Sequence, residues 1–363
     1  MIRNRHFQSR LLIGFFSLLL VVSLTACGAG ESQSTGGDQE KAADKSSNSS
    51  DSKQPTLTLY NGQHKDATLA LIKAFEEKTG IKVEARKGSS NELAHQIAEE
   101  GDKSPADLIY TEETTPLIML ADKGLLEKVD AKAREHIQEQ YTDPDDQWVG
   151  ITARSRVVCY HPELIKESDL PKTVRDFAKD EWKDKVAYVP TSGAFQKQVS
   201  AMIKLHGEDK AKAWLEGLKA NGKVYKNNKM ALEAVERGEI EVALINNYYW
   251  DLEAKEKGAD KMKSKLYFFG NKDIGDMITV SGAAVLKSSK NKEAAQQFLE
   301  FATSEEGQKI LTDVSAEYPL NAKVTTEGIK PFSELSPPEE TLDLGDLSDG
   351  QKALELLQEV GLL

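Results

Sequence analysis

Three places in this chain of 363 residues hold side chains that could act on one ligand together. His64 follows an opening β-prone run in Tyr60-Asn-Gly-Gln-His64, a carboxylate follows a buried-looking run in Asp107-Leu-Ile-Tyr-Thr-Glu-Glu113, and two tyrosines stand side by side in Asn246-Asn-Tyr-Tyr249. Singly, each has an ordinary explanation. A lone histidine is most often a surface or hydrogen-bonded core group, a loop acid is usually solvated, and paired tyrosines at an element end usually anchor packing. The same ordinary reading is given to His6, His95, His136, His161 and His206. Taken as a set, imidazole, carboxylate and two phenols suit a hard, highly charged cation. Phenol holds its proton to a pKa of about 10, so forming tyrosinate at neutral pH requires a strong Lewis acid. Ferric iron is one. Two phenolates and a carboxylate balance Fe³⁺, imidazole adds a neutral donor, and positions remain for water or an exogenous anion. Soft metals would call for thiolates and calcium for more carboxylates and carbonyls. Ser192-Gly193-Ala194 opens a helical run, where free backbone amides and the helix dipole favour an anion such as phosphate.

The elements that must position these groups repeat one pattern. A short β-prone run, such as Thr56–Tyr60 or Ile81–Ala85, leads through a loop into a helix-period run closed by glycine. Ala67–Lys78 places Leu71, Ile72 and Phe75 on one stripe with Gly80 as C-cap, and Ser89-Ser-Asn-Glu92 has capping-box spacing. Ala187-Tyr-Val-Pro leads into Thr191–Phe195 and a helix, and Glu241–Ile245 into Asn246–Trp250 and another. This alternation predicts α/β layers with largely parallel strands, whose ligands sit beyond the carboxyl ends of the strands. The paired tyrosines can converge on one ligand only where strand turns into helix, because within a strand neighbours face opposite sides.

Outside the folded part, residues 1–26 carry Arg3, Arg5 and Arg10 without an acid, then the mostly apolar run Leu11–Val22, too short for a membrane span. They read as an export signal. Leu24-Thr-Ala-Cys27 resembles a lipobox, which makes Cys27 a lipidation site and the protein a lipid-anchored one on the extracytoplasmic face of the cell membrane. Residues 28–54, rich in Ser, Gly, Asp, Lys and Gln, cannot bury a core and read as a disordered tether. The second cysteine, Cys159, lies in the strand-like run Arg156-Val-Val-Cys-Tyr160 and reads as a small core hydrophobe. With 47 basic and 59 acidic residues the formal charge is −12, and it falls to −15 once the three leader arginines are removed. That balance, with no basic run, argues against nucleic acid as a partner. Two cysteines and a single apolar stretch exclude a disulfide mini-protein and a polytopic membrane protein.

Six runs, Tyr60-Asn-Gly-Gln-His-Lys-Asp66, Ala106-Asp-Leu-Ile-Tyr-Thr-Glu112, Arg154-Ser-Arg-Val-Val158, Thr191-Ser-Gly-Ala-Phe195, Ala243-Leu-Ile-Asn-Asn-Tyr-Tyr-Trp250 and Ser281-Gly-Ala-Ala-Val-Leu286, fall in order across 55–363. Together they closely resemble the bacterial ferric-ion-binding proteins of iron ABC importers. The resemblance implies a two-lobed periplasmic-binding-protein-like (type II) α/β fold with hinge strands and an interlobe cleft. One lobe would comprise 55–153 with 279–330 and the other 154–278 with 331–363. It implies iron ligands His64, Glu112, Tyr248 and Tyr249, and a synergistic anion (phosphate, carbonate or citrate) against Ser192, Gly193, Ala194, Asn228 and Asn246. It further implies a monomeric receptor that hands Fe³⁺ to an ABC permease with its ATPase. One position departs: where better-known members have glutamine after the ligand glutamate, this chain has Glu113, and an ionised second carboxylate there should repel phosphate. The alternative is a lipoprotein on the same scaffold that binds another solute, an anion or a polyamine; paired tyrosines distinguish the two, since an organic ligand needs no tyrosinate. An enzyme is not expected. Gly217-Leu-Lys-Ala-Asn-Gly-Lys223 has phosphate-loop spacing but continues with Val224, so it reads as a helix C-cap, and Asp143-Pro-Asp-Asp146 reads as a solvated turn.

Overall fold

In this computed structural model, residues 54–338 and 350–363 are described. The expected leader, Cys27 and nearly all of the tether, residues 28–53, lie outside them. Among the described residues no helix is long and apolar enough to cross a membrane.

The first units follow the periodicities that predict them. β1 (Thr56–Asn61) leads to α1 (Lys65–Thr79), which buries Leu71, Ile72 and Phe75 and stops at Gly80 in the left-handed region with φ 76°. β2 (Lys82–Lys87) pairs with β1 in parallel, and α2 (Ser90–Glu100) starts with both hydrogen bonds of the capping box between Ser89 and Glu92. β3 (Leu108–Thr111) lies parallel to β1 on its other side and leads into α3 (Thr115–Asp122), then α4 (Ala131–Arg134). In the loop that follows, the Asp143 carboxylate accepts the Gln147 N–H at 2.9 Å, as a local turn does.

β4 (Val149–Tyr160) is twelve residues long and buried throughout. Beyond it come β5 (Val186–Tyr188), α5 (Gly193–His206), α6 (Glu208–Asn221), β6 (Lys223–Val224), α7 (Asn228–Glu236), β7 (Val242–Asn246), α8 (Asn247–Lys257) and β8 (Lys265–Tyr267). β9 (Ile278–Val285) is followed by α9 (Lys292–Thr303), α10 (Glu305–Ser315), β10 (Tyr318–Pro319) and α11 (Gln351–Val360). Gly222 closes α6, so the phosphate-loop-like spacing is indeed a helix end.

The strands run in the order β2-β1-β3-β9-β4-β7-β5-β6, with β10 and β8 also on β4. β4 joins the two halves of this order: its first half pairs with β9 and β10, its second half with β7 and β8. Parallel pairing holds at the two ends of this order and fails at the centre, where every partner of β4 and β9 is antiparallel. The reason is topological: the chain passes between the halves along β4 and returns along β9, so these strands oppose each other, whereas the flanking strands are joined by helical crossovers.

A separate apolar core lies on each side. Leu57, Leu59, Phe75, Val149, Val280 and Phe298 pack together in one, and Phe177, Tyr188, Phe195, Trp214, Leu244 and Leu356 in the other. Phe332 packs on Tyr141 and Tyr318 at the first core, and α11 joins the second. The fold is a two-lobed α/β architecture with crossing strands between the lobes. Cys159 is fully buried, and burial pushes its thiol up to about 12, so it is an unreactive core residue.

Candidate metal centre

His64 is held at the start of α1 by its own loop. Its N–H donates to Gln63 Oε1 at 2.8 Å, Gln63 N–H to Asn61 Oδ1 at 2.9 Å, and Thr68 Oγ1 to the His64 carbonyl at 3.0 Å. As the N-cap residue with φ −51° and ψ 126°, it turns the chain from strand to helix and leaves its ring outside both. The neighbouring strand end is tied to it. Gly62 N–H donates to the Tyr110 carbonyl at 2.7 Å, Glu112 N–H donates to Ser90 Oγ at 2.9 Å, and Thr111 Oγ1 donates to the Glu113 carbonyl at 2.6 Å.

The tyrosines sit where the sequence argument requires. β7 ends at Asn246 and α8 begins at Asn247, so Tyr248 and Tyr249 occupy the first turn of the helix with ring centroids 4.3 Å apart. The two asparagines before them lock this turn. Asn246 Oδ1 accepts from Arg156 Nη1 at 3.0 Å, while Asn247 Oδ1 accepts from Ser155 N–H at 3.0 Å and its amide donates to Asp251 at 2.9 Å. Arg156 also donates to the Leu244 carbonyl at 2.9 Å and to Gln198 Oε1 at 3.3 Å. The turn that presents the phenols is therefore bolted to β4.

Across the cleft, the His64 ring meets the edge of Tyr248 with centroids 5.5 Å apart. His64 Nε2 lies 3.5 Å from Glu112 Oε1 and 3.5 Å from Glu317 Oε1. Arg154, on β4 and buried, places Nη1 3.5 Å from Glu112 Oε1 and 3.7 Å from Glu317 Oε1, and donates to the Glu112 carbonyl. Burial works against the Arg154 charge, yet Glu317 and Glu112 outweigh it and hold the guanidinium above its ordinary range. For Arg156, burial wins and lowers it to about 10. Burial, and then the neighbouring Tyr249, push the Tyr248 phenol well above its ordinary value.

One cavity of about 260 Å³ is lined by Glu112, Glu113, Arg154, Ser192, Gly193, Ala194, Asn228, Asn246, Tyr248 and Tyr249, together with Thr279 and Lys226. Eight of the nine residues expected from the sequence line this one space, and His64 adjoins it through Glu112 and Tyr248. Ser192, the N-cap of α5, makes no side-chain capping hydrogen bond, and Asn228, first residue of α7, donates to its Oγ at 3.3 Å.

Sequence reading misses Glu317, and it singles out Arg154 and Arg156 only as part of a resembling run. The two arginines alternate with Ser155 along β4, so both face the cleft side, a signal visible as period two. Glu317 is a carboxylate inside the otherwise unbroken run Ala316-Glu-Tyr-Pro-Leu320, and it is 1% exposed. Its isolation among buried neighbours is the only hint available from sequence.

The pattern for bacterial extracellular solute-binding proteins matches residues 61–309. The chain belongs to the bacterial extracellular solute-binding protein family. This solute-binding protein is 45% identical over 309 residues to the major ferric iron-binding protein of Neisseria meningitidis (serogroup A), an alignment covering 84% of this chain and 93% of that one. Its fold matches the crystal structure of iron-bound HitA from Pseudomonas aeruginosa with a TM-score of 0.78 and 51% identity, over 84% of this chain and 99% of HitA. It also matches a Trichodesmium protein (IdiA, FutA) solved in complex with iron and citrate, with a TM-score of 0.73 and 28% identity, over 84% and 99% of the two chains. The family is one of solute-binding receptors.

Proposed function

We propose that this chain is the ferric-iron receptor of an ABC importer, with His64, Glu112, Tyr248 and Tyr249 as the iron ligands. The observation that carries the reading is convergence: an imidazole and a carboxylate from one side of the cleft face two adjacent phenols from the other, with the His64 and Tyr248 ring centroids 5.5 Å apart. The relatives named for ferric iron support it. The raised Tyr248 phenol explains selectivity, because only a cation acidic enough to displace that proton gains the tyrosinate bond, and weaker Lewis acids meet a neutral phenol. Loading releases phenol protons, so binding weakens as pH falls. Arg154 beneath Glu112 and Glu317 keeps this acidic pocket from repelling itself before iron enters.

In this reading, residues 55–153 with 279–330 form one lobe, 154–278 with the C-terminal residues the other, and closure about β4 and β9 buries the cargo and marks the receptor as loaded for the permease. The wall of Ser192, Gly193, Ala194, Asn228 and Asn246 is where the resemblance assigns a synergistic anion, and Glu113 lines the same space. Leu24-Thr-Ala-Cys27 supports attachment through a lipid on Cys27, with residues 28–54 as the tether, at the extracytoplasmic face of the membrane.

The test is a titration of the purified protein with ferric citrate, followed by visible absorption. A tyrosinate-to-iron charge-transfer band should grow to one equivalent and be absent when Tyr248→Phe is combined with Tyr249→Phe. No band in the wild type, or a band that survives in the double variant, sinks the iron assignment.

A further inference from the structure

Glu113 is not placed as a loop acid would be. Its backbone is fixed by the hydrogen bond from Thr111 to its carbonyl, and its side chain reaches across the cleft to the start of α5. A Cβ added to Gly193 would meet Glu113 Oε1 at 3.4 Å, so this oxygen faces the first residue of that helix across a space no wider than a side chain, and the two line the same cavity. The other oxygen, Oε2, is 3.6 Å from Lys197 Nζ, one helical turn further along α5. Lys197 also donates to Thr115 Oγ1, at the first residue of α3. The lysine side chain is 10% exposed and that of the glutamate 29%, so the pair is largely shielded from water. In the same wall, Asn228 is 5% exposed and its Oδ1 has no hydrogen-bond partner, while its amide contacts Ser192.

We propose that the Glu113 carboxylate is a built-in anion: it takes, from within the chain, the place beside the α5 N-terminus that an exogenous oxyanion would fill, with Lys197 as its counter-ion. The inference rests on the ferric reading of the cleft. Its physical content is that the helix start already faces a negative group tethered to the opposite side of the cleft. Such a group needs no capture from solution, and its covalent attachment to Glu112 delivers it together with an iron ligand. A second oxyanion would have to enter beside it and would be repelled. Glu113 then sets the specificity of the cleft: iron is accepted without phosphate, carbonate or citrate.

The experiment loads iron as ferrous chloride oxidised by carbon-dioxide-free oxygen in a degassed buffer free of phosphate, citrate and carbonate, for the wild type and for Glu113→Gln. Iron retention is then read by competition with a chelator, and the charge-transfer band by absorption. The expected result is a full wild-type band without any anion, with neither its position nor its retention changed by added phosphate. In E113Q retention should drop about tenfold and be restored by phosphate. A wild-type band that requires phosphate, or shifts when phosphate is added, overturns the proposal and leaves the ferric reading intact. So does an E113Q that retains iron as well as the wild type without an anion. Absence of a band under every anion overturns both. The wild-type response decides the matter even if E113Q folds poorly, which thermal melting would reveal.

Discussion

Glu317 carries the main lesson at the scale of single residues. Its Oε2 accepts from Gln63 and Thr152, while Oε1 has no hydrogen-bond partner and faces both His64 Nε2 and Arg154. A buried carboxylate in that position orients the imidazole and neutralises the guanidinium, as outer partners of metal ligands do. The substitution Glu317→Gln keeps the volume of the side chain and removes its charge. We expect iron affinity to fall about tenfold, by analogy with other outer partners of ligands, and stability to fall by about 1–3 kcal/mol through loss of a charged hydrogen-bond acceptor. Chelator competition and thermal unfolding measure the two, and no change in either would reduce Glu317 to packing. Nothing in the local sequence pairs Glu317 with His64, because the contact spans 253 positions and depends on where β10 docks on β4. By contrast, the position of the Tyr-Tyr pair at a strand-to-helix junction was legible locally, because the β-prone run Glu241–Ile245 and the helical run after it meet at Asn246.

At the scale of elements, close backbone approach places the proposed ligands. A Cβ on Gly62 would lie 2.3 Å from Ser90 Oγ and 2.8 Å from Ser90 Cα, so the β1–α1 loop and the start of α2 touch with no room for a side chain. Ser90 in turn receives the Glu112 N–H. Gly62 therefore brings the loop of His64 and the strand end of Glu112 into one unit. Gly62→Ala should push α2 away, destabilise the protein by about 1–3 kcal/mol as overpacked sites do, and weaken iron binding in parallel. Unfolding in urea with a matched iron titration checks this; full stability and full affinity together would contradict it. The helices themselves were legible: apolar stripes, the capping box at Ser89 and the left-handed Gly80 all act within a few residues. Strand direction at the centre was not, because a parallel or antiparallel partner is chosen by where the chain next returns and not by the run itself.

For the whole molecule, the question is how two cores connected by β4 and β9 work as one receptor. Iron bridging His64 and Glu112 to Tyr248 and Tyr249 would hold the sides together, so X-ray scattering of the iron-loaded protein should give a smaller radius of gyration than the iron-free protein. Identical profiles would reject hinge closure as the signal of loading. By itself, the sequence determined the export-signal pattern, the α/β alternation, the positions of the first helices with their caps at Gly80 and Ser89, and the donor types, because these depend on composition, on periodicity and on chemistry intrinsic to each side chain. Only the tertiary structure decided that His64 faces Tyr248, that Arg154 and Glu317 underlie the pocket, and that Glu113 reaches Lys197 across the cleft. Those relations join residues far apart in the chain, and their distances are fixed by how β4 and β9 seat one core against the other.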